Sequence, residues 1–192
     1  MTDDVAPGDT LDDADALEAH PLTRERLAKY RSHIEDGGFP YSFSRTHTAG
    51  ELHVRFDDLE PGTEPDEVFT VAGRLMNTRV MGKLVFAVLS DVTGTIQLFV
   101  DKRTLGDDGF AAFLDLDAGD WIGATGAVLT TKRGEVSVRI TSLELLQKSL
   151  RPMPDKWHGL KDVEARSRQR YLDLMANAES RVTAVTRSKV IS

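Results

Sequence analysis

The sequence predicts a mainly β protein with flanking helices, built around a five-stranded Greek-key barrel. Three observations lead there. Stretches rich in β-branched and aromatic residues fill the middle of the chain from Val68 onward, and they are separated by compact turn signals. One of them, TIQLFVD, alternates strictly, with Ile96, Leu98 and Val100 on one side and Gln97, Phe99 and Asp101 on the other. A short segment with helical spacing (Phe110, Phe113, Leu114) falls between the third and fourth strands, the order expected of an oligonucleotide-binding (OB) barrel.

The strands follow in sequence. VFTVAGRLMNTRV and LVFAVLSDV flank a turn at Met81-Gly82-Lys83, and a second turn near Thr93-Gly94 leads into TIQLFVD. After the helix come DWIGATGAVLTT, a turn at Lys132-Arg133-Gly134, and EVSVRITSLELLQK. Gly73, Gly123 and Gly126 lie inside strand patterns, where a tightly curved barrel needs bulges or close backbone approach. The barrel is expected over residues 66–148.

Before it, residues 1–20 form an acidic leader with seven acids and no Lys or Arg, expected to be disordered. Residues 21–65 hold a helix and a connector. Leu22 to Glu35 reads as a helix with a partial apolar stripe of Leu22, Leu27, Tyr30 and Ile34, ended by Gly37-Gly38. Arg24, Arg26, Lys29 and Arg31 make the rest of its surface basic, which suits either a solvated face or phosphate contact. Phe39 to Gly50 reads as an ordered connector and Leu59 to Glu67 as an exposed acidic loop. After the barrel, LRPMPDKWHGL is too interrupted for regular structure. A helix begins at Asp162, which caps it, with Leu172 and Met175 on its apolar side; Asn177 interrupts, and another helix starts near Glu179.

Composition limits function. The chain has 192 residues, 40% of them hydrophobic, enough for a core, and it contains no cysteine, which excludes disulfides, thiolate metal sites and cysteine nucleophiles. No apolar run approaches the ~20 residues of a membrane span, and the leader lacks a signal-peptide core, so a cytoplasmic protein without a membrane partner is expected. The net charge of −7 belongs to the leader: without it, 24 acids face 24 bases. The five histidines have no metal-ligand spacing, and no phosphate loop, nucleophile elbow or dinucleotide fingerprint is present. Neither a metal site nor a catalytic residue is therefore expected.

Binding is better supported. An OB barrel recognises single strands with its second and third strands. Phe86 alone would be read as barrel core. With Gln97 and Arg79 around one sheet face, it reads as a stacking platform beside an amide suited to a base edge. Lys83 lies at the turn entering the second strand, in reach of phosphate, and Glu135 follows the turn at Gly134, placed to accept from a base amino or imino group.

TRVMGKLVFAVLSDVTGTIQLFV, TKRGEVSV and SLRPMPDKWHGLKDVEARSRQRYLDL closely resemble the amino-terminal region of class II lysyl-tRNA synthetases, as does the lead-in FPYSFSRTHTAGEL. The resemblance covers roughly residues 22–192. It implies that Phe86 stacks on the central anticodon uridine, Gln97 reads its edge, Arg79 lies beside the first two anticodon bases and Glu135 near the third. It implies tRNA(Lys) as partner, a hinge and homodimer segment at 149–177, and the start of a catalytic domain at 178–192. Thr78 and Ser167 depart from the family, where a further basic residue and an aromatic are common. The chain reaches Val190-Ile191-Ser192 where the family enters its first catalytic motif, so a truncated synthetase is expected: ATP and Mg²⁺ would serve only the missing part, and this chain would bind without aminoacylating. A free-standing tRNA- or single-strand-binding protein derived from the same domain is the alternative, and the reading frame beyond Ser192 would separate the two.

Overall fold

A computed structural model describes residues 21–152 and 162–191; the acidic leader and most of the Pro-rich segment after Arg151 lie outside the described residues. Five strands, β1 (Val68–Met81), β2 (Leu84–Ser90), β3 (Thr95–Asp101), β4 (Trp121–Thr130) and β5 (Val136–Gln147), close into a barrel in the order β1-β2-β3-β5-β4. All neighbours are antiparallel except β3 and β5, which run parallel over Gln97↔Ser137, Leu98↔Val138 and Phe99↔Arg139. The period-two pattern of the sequence aims Phe69, Val71, Leu75, Val85, Ala87, Leu89, Ile96, Leu98 and Val100 inward, where all are buried.

Two of the strand glycines are demanded by close approach. A Cβ on Gly126 would lie 1.9 Å from the Arg139 carbonyl oxygen, beside an irregularity in the β4–β5 register. One on Gly123 would lie 2.2 Å from the Phe43 ring, so the connector ahead of the barrel packs on bare backbone. That connector is held by Thr46 N donating to Thr70 O (2.9 Å) and Thr70 N donating to Thr46 Oγ1 (2.9 Å).

The helices add to this frame, and the first differs from expectation. In α1 (Pro21–Glu35) the expected apolar stripe packs only at its middle, where Leu27 and Tyr30 are half-buried and Tyr30 meets the Phe39 ring; Leu22 and Ile34 are about half exposed, whereas Thr23 and Arg26 are buried. A second helix, α2 (Ala49–Phe56), stands where the sequence suggested the end of the connector. Thr48 caps it in a full capping box, accepting from Glu51 N while Glu51 Oε2 accepts from Thr48 N at 2.7 Å. Its first free amides are satisfied by the β2–β3 turn, Ala49 N by Asp91 Oδ2 (2.7 Å) and Gly50 N by Thr93 Oγ1 (2.8 Å). Burial pushes the Asp91 carboxyl up, but hydrogen bonds from Thr93, Ala49 and Gly94 hold it below its ordinary range. Ala49, Leu52 and Phe56 carry the hydrophobic core onto this helix. The helix between the third and fourth strands, α3 (Lys102–Leu114), buries Phe110 and Phe113, while Leu114 stays half exposed.

Beside α3 lies a buried ionic cluster. Lys148 is 4% exposed and donates to the fully buried Asp120 (2.7 Å) and to Asp117; Asp120 also accepts from Ser149 N and Asp117 N, each at 2.8 Å. Arg26 and Lys29 of α1 complete it. Arg26 donates to the Arg151 and Ser149 carbonyls at 3.0 and 3.3 Å, and Lys29 donates to the Asp115 carbonyl at 2.9 Å and pairs with the Asp115 and Asp117 carboxylates. Burial lowers the Lys29 ammonium, but Asp115 and Asp117 outweigh it and hold its pKa raised.

The chain divides into two compact units at Pro152. In the second, the single helix expected from Asp162 is broken into α4 (Val163–Arg168) and α5 (Arg170–Ala176) at Gln169, whose φ of −110° and ψ of 57° leave the helical region. Asp162 does cap α4, its carboxylate accepting from Glu164 N at 3.1 Å. Extended Asn177 separates α5 from α6 (Ala178–Ile191). The three helices meet on a polar centre: buried Asp173 accepts from Arg166 Nε (2.7 Å), Asn177 Nδ2 (2.6 Å) and Arg170, while Arg166 also donates to buried Ser180 (3.1 Å).

Candidate nucleic-acid interface

Outward-facing positions of a barrel are free to carry function, and along the middle of β2 and β3 they are Phe86, Val88, Gln97 and Phe99, all half-buried. Cross-strand register assembles them. Arg79 on β1 stands opposite Phe86, and Phe86 opposite Phe99. The two rings meet edge to face, their centroids 5.3 Å apart. Gln97 stands opposite Ser137 of β5, so the β4–β5 turn comes alongside it, and Gln97 Nε2 donates to Glu135 Oε2 at 2.9 Å.

These residues line one groove of about 720 Å³, bounded by β1–β3 on one side and by the β4–β5 turn on the other. Arg79, Phe86, Gln97 and Glu135, singled out in the sequence, all line it; Lys83 is exposed in the β1–β2 turn and is not part of the wall. The acidic loop before β1 forms a further edge. It is clipped to β4 by Gly62 N donating to Thr130 O (2.8 Å) and Thr130 N donating to Thr63 O (3.1 Å), which brings Glu64 within 2.7 Å of Arg139. Arg139 in turn lies 5.4 Å from the Phe99 ring centroid, in cation–π range. Lys132 and Arg133 complete the basic side. Arg139 Nε and Thr130 Oγ1 are buried with no hydrogen-bond partner among the described residues.

Phe99 and Arg139 also line the groove, and Ser137 lies behind Gln97; the sequence reading singled out none of the three. Phe99 carried a signal, since it shares the outward side of TIQLFVD with Gln97. The basic helix needs correction. Arg26 and Lys29 are bound to the ionic cluster and the Ser149–Arg151 carbonyls, so they hold α1 in place and do not form a phosphate-facing surface. Arg24 and Arg31 are exposed and also engaged in interactions.

Among the described residues no cluster of His, Asp or Glu could hold a metal ion, and no helix is long and apolar enough to cross a membrane. A closed five-stranded barrel with aromatic and amide groups on its second and third strands, and guanidinium groups beside them on the first and fifth, has the architecture of an oligonucleotide-binding module. Residues 69–146 match the model of the OB-fold nucleic acid binding domain family. Over most of its length, the barrel included, the chain is similar to lysine–tRNA ligases. It is 49% identical to that of Synechococcus sp. (strain RCC307) over 174 residues, 89% of this chain and 34% of the relative. It is 45% identical to that of Shouchella clausii (strain KSM-K16) over 184 residues, 92% of this chain and 36% of the relative. With that of Clostridium perfringens (strain ATCC 13124) the identity is 44% over 174 residues, 91% and 34% respectively. The chain thus spans about a third of the length of the curated relatives it matches.

Proposed function

We propose that the groove binds the anticodon of tRNA(Lys), as the recognition part of a lysine–tRNA ligase. The observation that carries this reading is the convergence of Arg79, Phe86, Gln97 and Glu135, which come from three strands and a turn, on one groove. Phe86 supplies an aromatic face for the central uridine, and Gln97 an amide for its Watson–Crick edge. Arg79 lies next to Phe86 for the first two bases, and Glu135 next to Gln97 for the third. The unpaired Arg139 Nε and Thr130 Oγ1 suit a polar ligand, because buried polar atoms are ordinarily satisfied. The lysine identity of the tRNA comes from the names of the relatives.

These residues select and position; none of them forms or breaks a bond. The attachment of lysine to tRNA, with ATP and Mg²⁺, is proposed for the longer protein of which such a recognition unit is a part. Phe86→Ala tests the site. Removing a stacking platform costs about 1–3 kcal/mol per base, roughly 5- to 150-fold in affinity for a hairpin with a UUU anticodon loop. A variant that binds this hairpin as tightly as the unchanged chain refutes the assignment of this face.

A further inference from the structure

Three side chains at the parallel β3–β5 pairing form a relay. Gln97 Nε2 donates to Glu135 Oε2 and Ser137 Oγ donates to Gln97 Oε1, both at 2.9 Å. Ser137 is fully buried, and its hydroxyl also lies 3.2 Å from the Glu135 carbonyl oxygen. A glutamine amide has two orientations related by a half-turn, nearly identical in shape but with donor and acceptor exchanged. Glu135 removes that freedom. An ionised carboxylate can only accept, so the half-turned amide would set the Oε1 lone pairs against it. Ser137 works in the same direction, because its single proton meets Oε1 in one orientation and would have to turn to the Glu135 carbonyl in the other. Each end of the amide keeps spare capacity, one lone pair on Oε1 and one proton on Nε2. Gln97 thus offers the groove an acceptor and a donor in fixed order.

Fixed order matters for pyrimidines. Uracil and cytosine share a ring shape but are reversed along the Watson–Crick edge. Uracil donates from N3 and accepts at O4, whereas cytosine accepts at N3 and donates from its 4-amino group. An amide free to turn would serve both. We propose that Glu135 and Ser137 are positioning residues that hold the Gln97 amide in the one orientation that reads uracil and refuses cytosine. This rests on the anticodon reading of the groove given above.

The experiment measures binding of the 192-residue chain to two hairpins that differ only at the centre of the anticodon loop, UUU and UCU. The unchanged chain prefers UUU by roughly ten-fold or more, the scale of one mismatched bidentate contact. Glu135→Gln keeps the shape of residue 135 but can turn its own amide to donate, so the UUU-to-UCU ratio falls toward unity. Taking the ratio cancels the uniform gain in RNA affinity from losing a negative charge. Ser137→Ala narrows the ratio in the same direction. A second readout needs no RNA: in the free chain the Gln97 side-chain amide protons exchange with water more slowly than in Glu135→Ala. A preference for UUU that survives Glu135→Gln unchanged, or equal exchange rates in the free proteins, overturns the orientation inference and leaves the anticodon reading standing. If the unchanged chain shows no preference for UUU, both fall together.

Discussion

Lys148→Met tests whether the ionic cluster beneath α1 is a structural keystone. The substitution keeps a long aliphatic stem and removes the ammonium. Asp120, fully buried, then retains, among the described residues, the Ser149 and Asp117 amides as donors, and Asp117 loses its nearest cation. Removing one partner of a buried ion pair costs about 3–5 kcal/mol, because the other charge is left uncompensated. Against a typical total stability of roughly 5–15 kcal/mol, that is a large share. With a urea dependence of about 1–3 kcal/mol per molar, the unfolding midpoint drops by more than ~1 M. Urea titration followed by circular dichroism at pH 7 gives the comparison. The pH dependence supplies a second check. Burial raises the Asp117 pKa, but the hydrogen bond and charge of Lys148, with Lys29 and Arg26, outweigh it and hold the pKa lowered. A depressed folded-state pKa contributes stability that is complete above the unfolded value and is lost as pH falls through the folded one. The gap between the unchanged chain and the variant therefore narrows below about pH 4. A midpoint at pH 7 within ~0.3 M of the unchanged chain, corresponding to less than about 1 kcal/mol, refutes the reasoning.

Two further outcomes follow from the geometry. Gly126→Ala sets a Cβ 1.9 Å from a carbonyl oxygen that no side-chain rotation can move, so it destabilises the barrel by about 1–3 kcal/mol or more; a melting temperature equal to that of the unchanged chain counts against the close approach. The hydrogen bond from Asn177 is the first cause that lowers the Asp173 carboxyl from 3.8 to about 2, with burial opposing and Arg166 and Ser180 assisting. Its contribution to the second unit is complete above pH 3.8 and lost as pH falls toward 2, so its side-chain carboxyl resonance titrates near 2. A midpoint at or above 3.8 contradicts the buried network.

The barrel was legible because its signals are local. Alternation in TIQLFVD, two turn glycines and the placement of Phe110 and Phe113 each report on neighbouring residues, and all five strands fall within a residue or two of where the pattern puts them. The outward positions of β2 and β3 that line the groove were legible for the same reason, because they can be counted along the strand. Long-range chemistry was hidden. Arg26 and Lys29 resemble any solvated basic helix face, because the acids and carbonyls that hold them come 86 to 125 residues later. Arg139 joins the groove, and Ser137 comes behind Gln97, only through the parallel pairing of β3 with β5, which no local pattern announces. The α2 helix was readable but overlooked: Thr48 and Glu51 stand at capping-box spacing, inside a stretch whose Pro, Ser and Gly suggested only a connector.

The parallel pairing of β3 with β5 spans only Gln97 to Phe99, far shorter than the other pairings of the barrel. Gln97, Phe99, Ser137 and Arg139 therefore stand on the least-stitched line of the cylinder. A ligand lying across that line acts as a suture, and its grip and the closure of the cylinder become one mechanical coordinate. Opening the seam spreads Gln97 from Glu135 and Phe99 from Arg139 at once. The wall of the groove is then as stiff as the weld that closes the barrel.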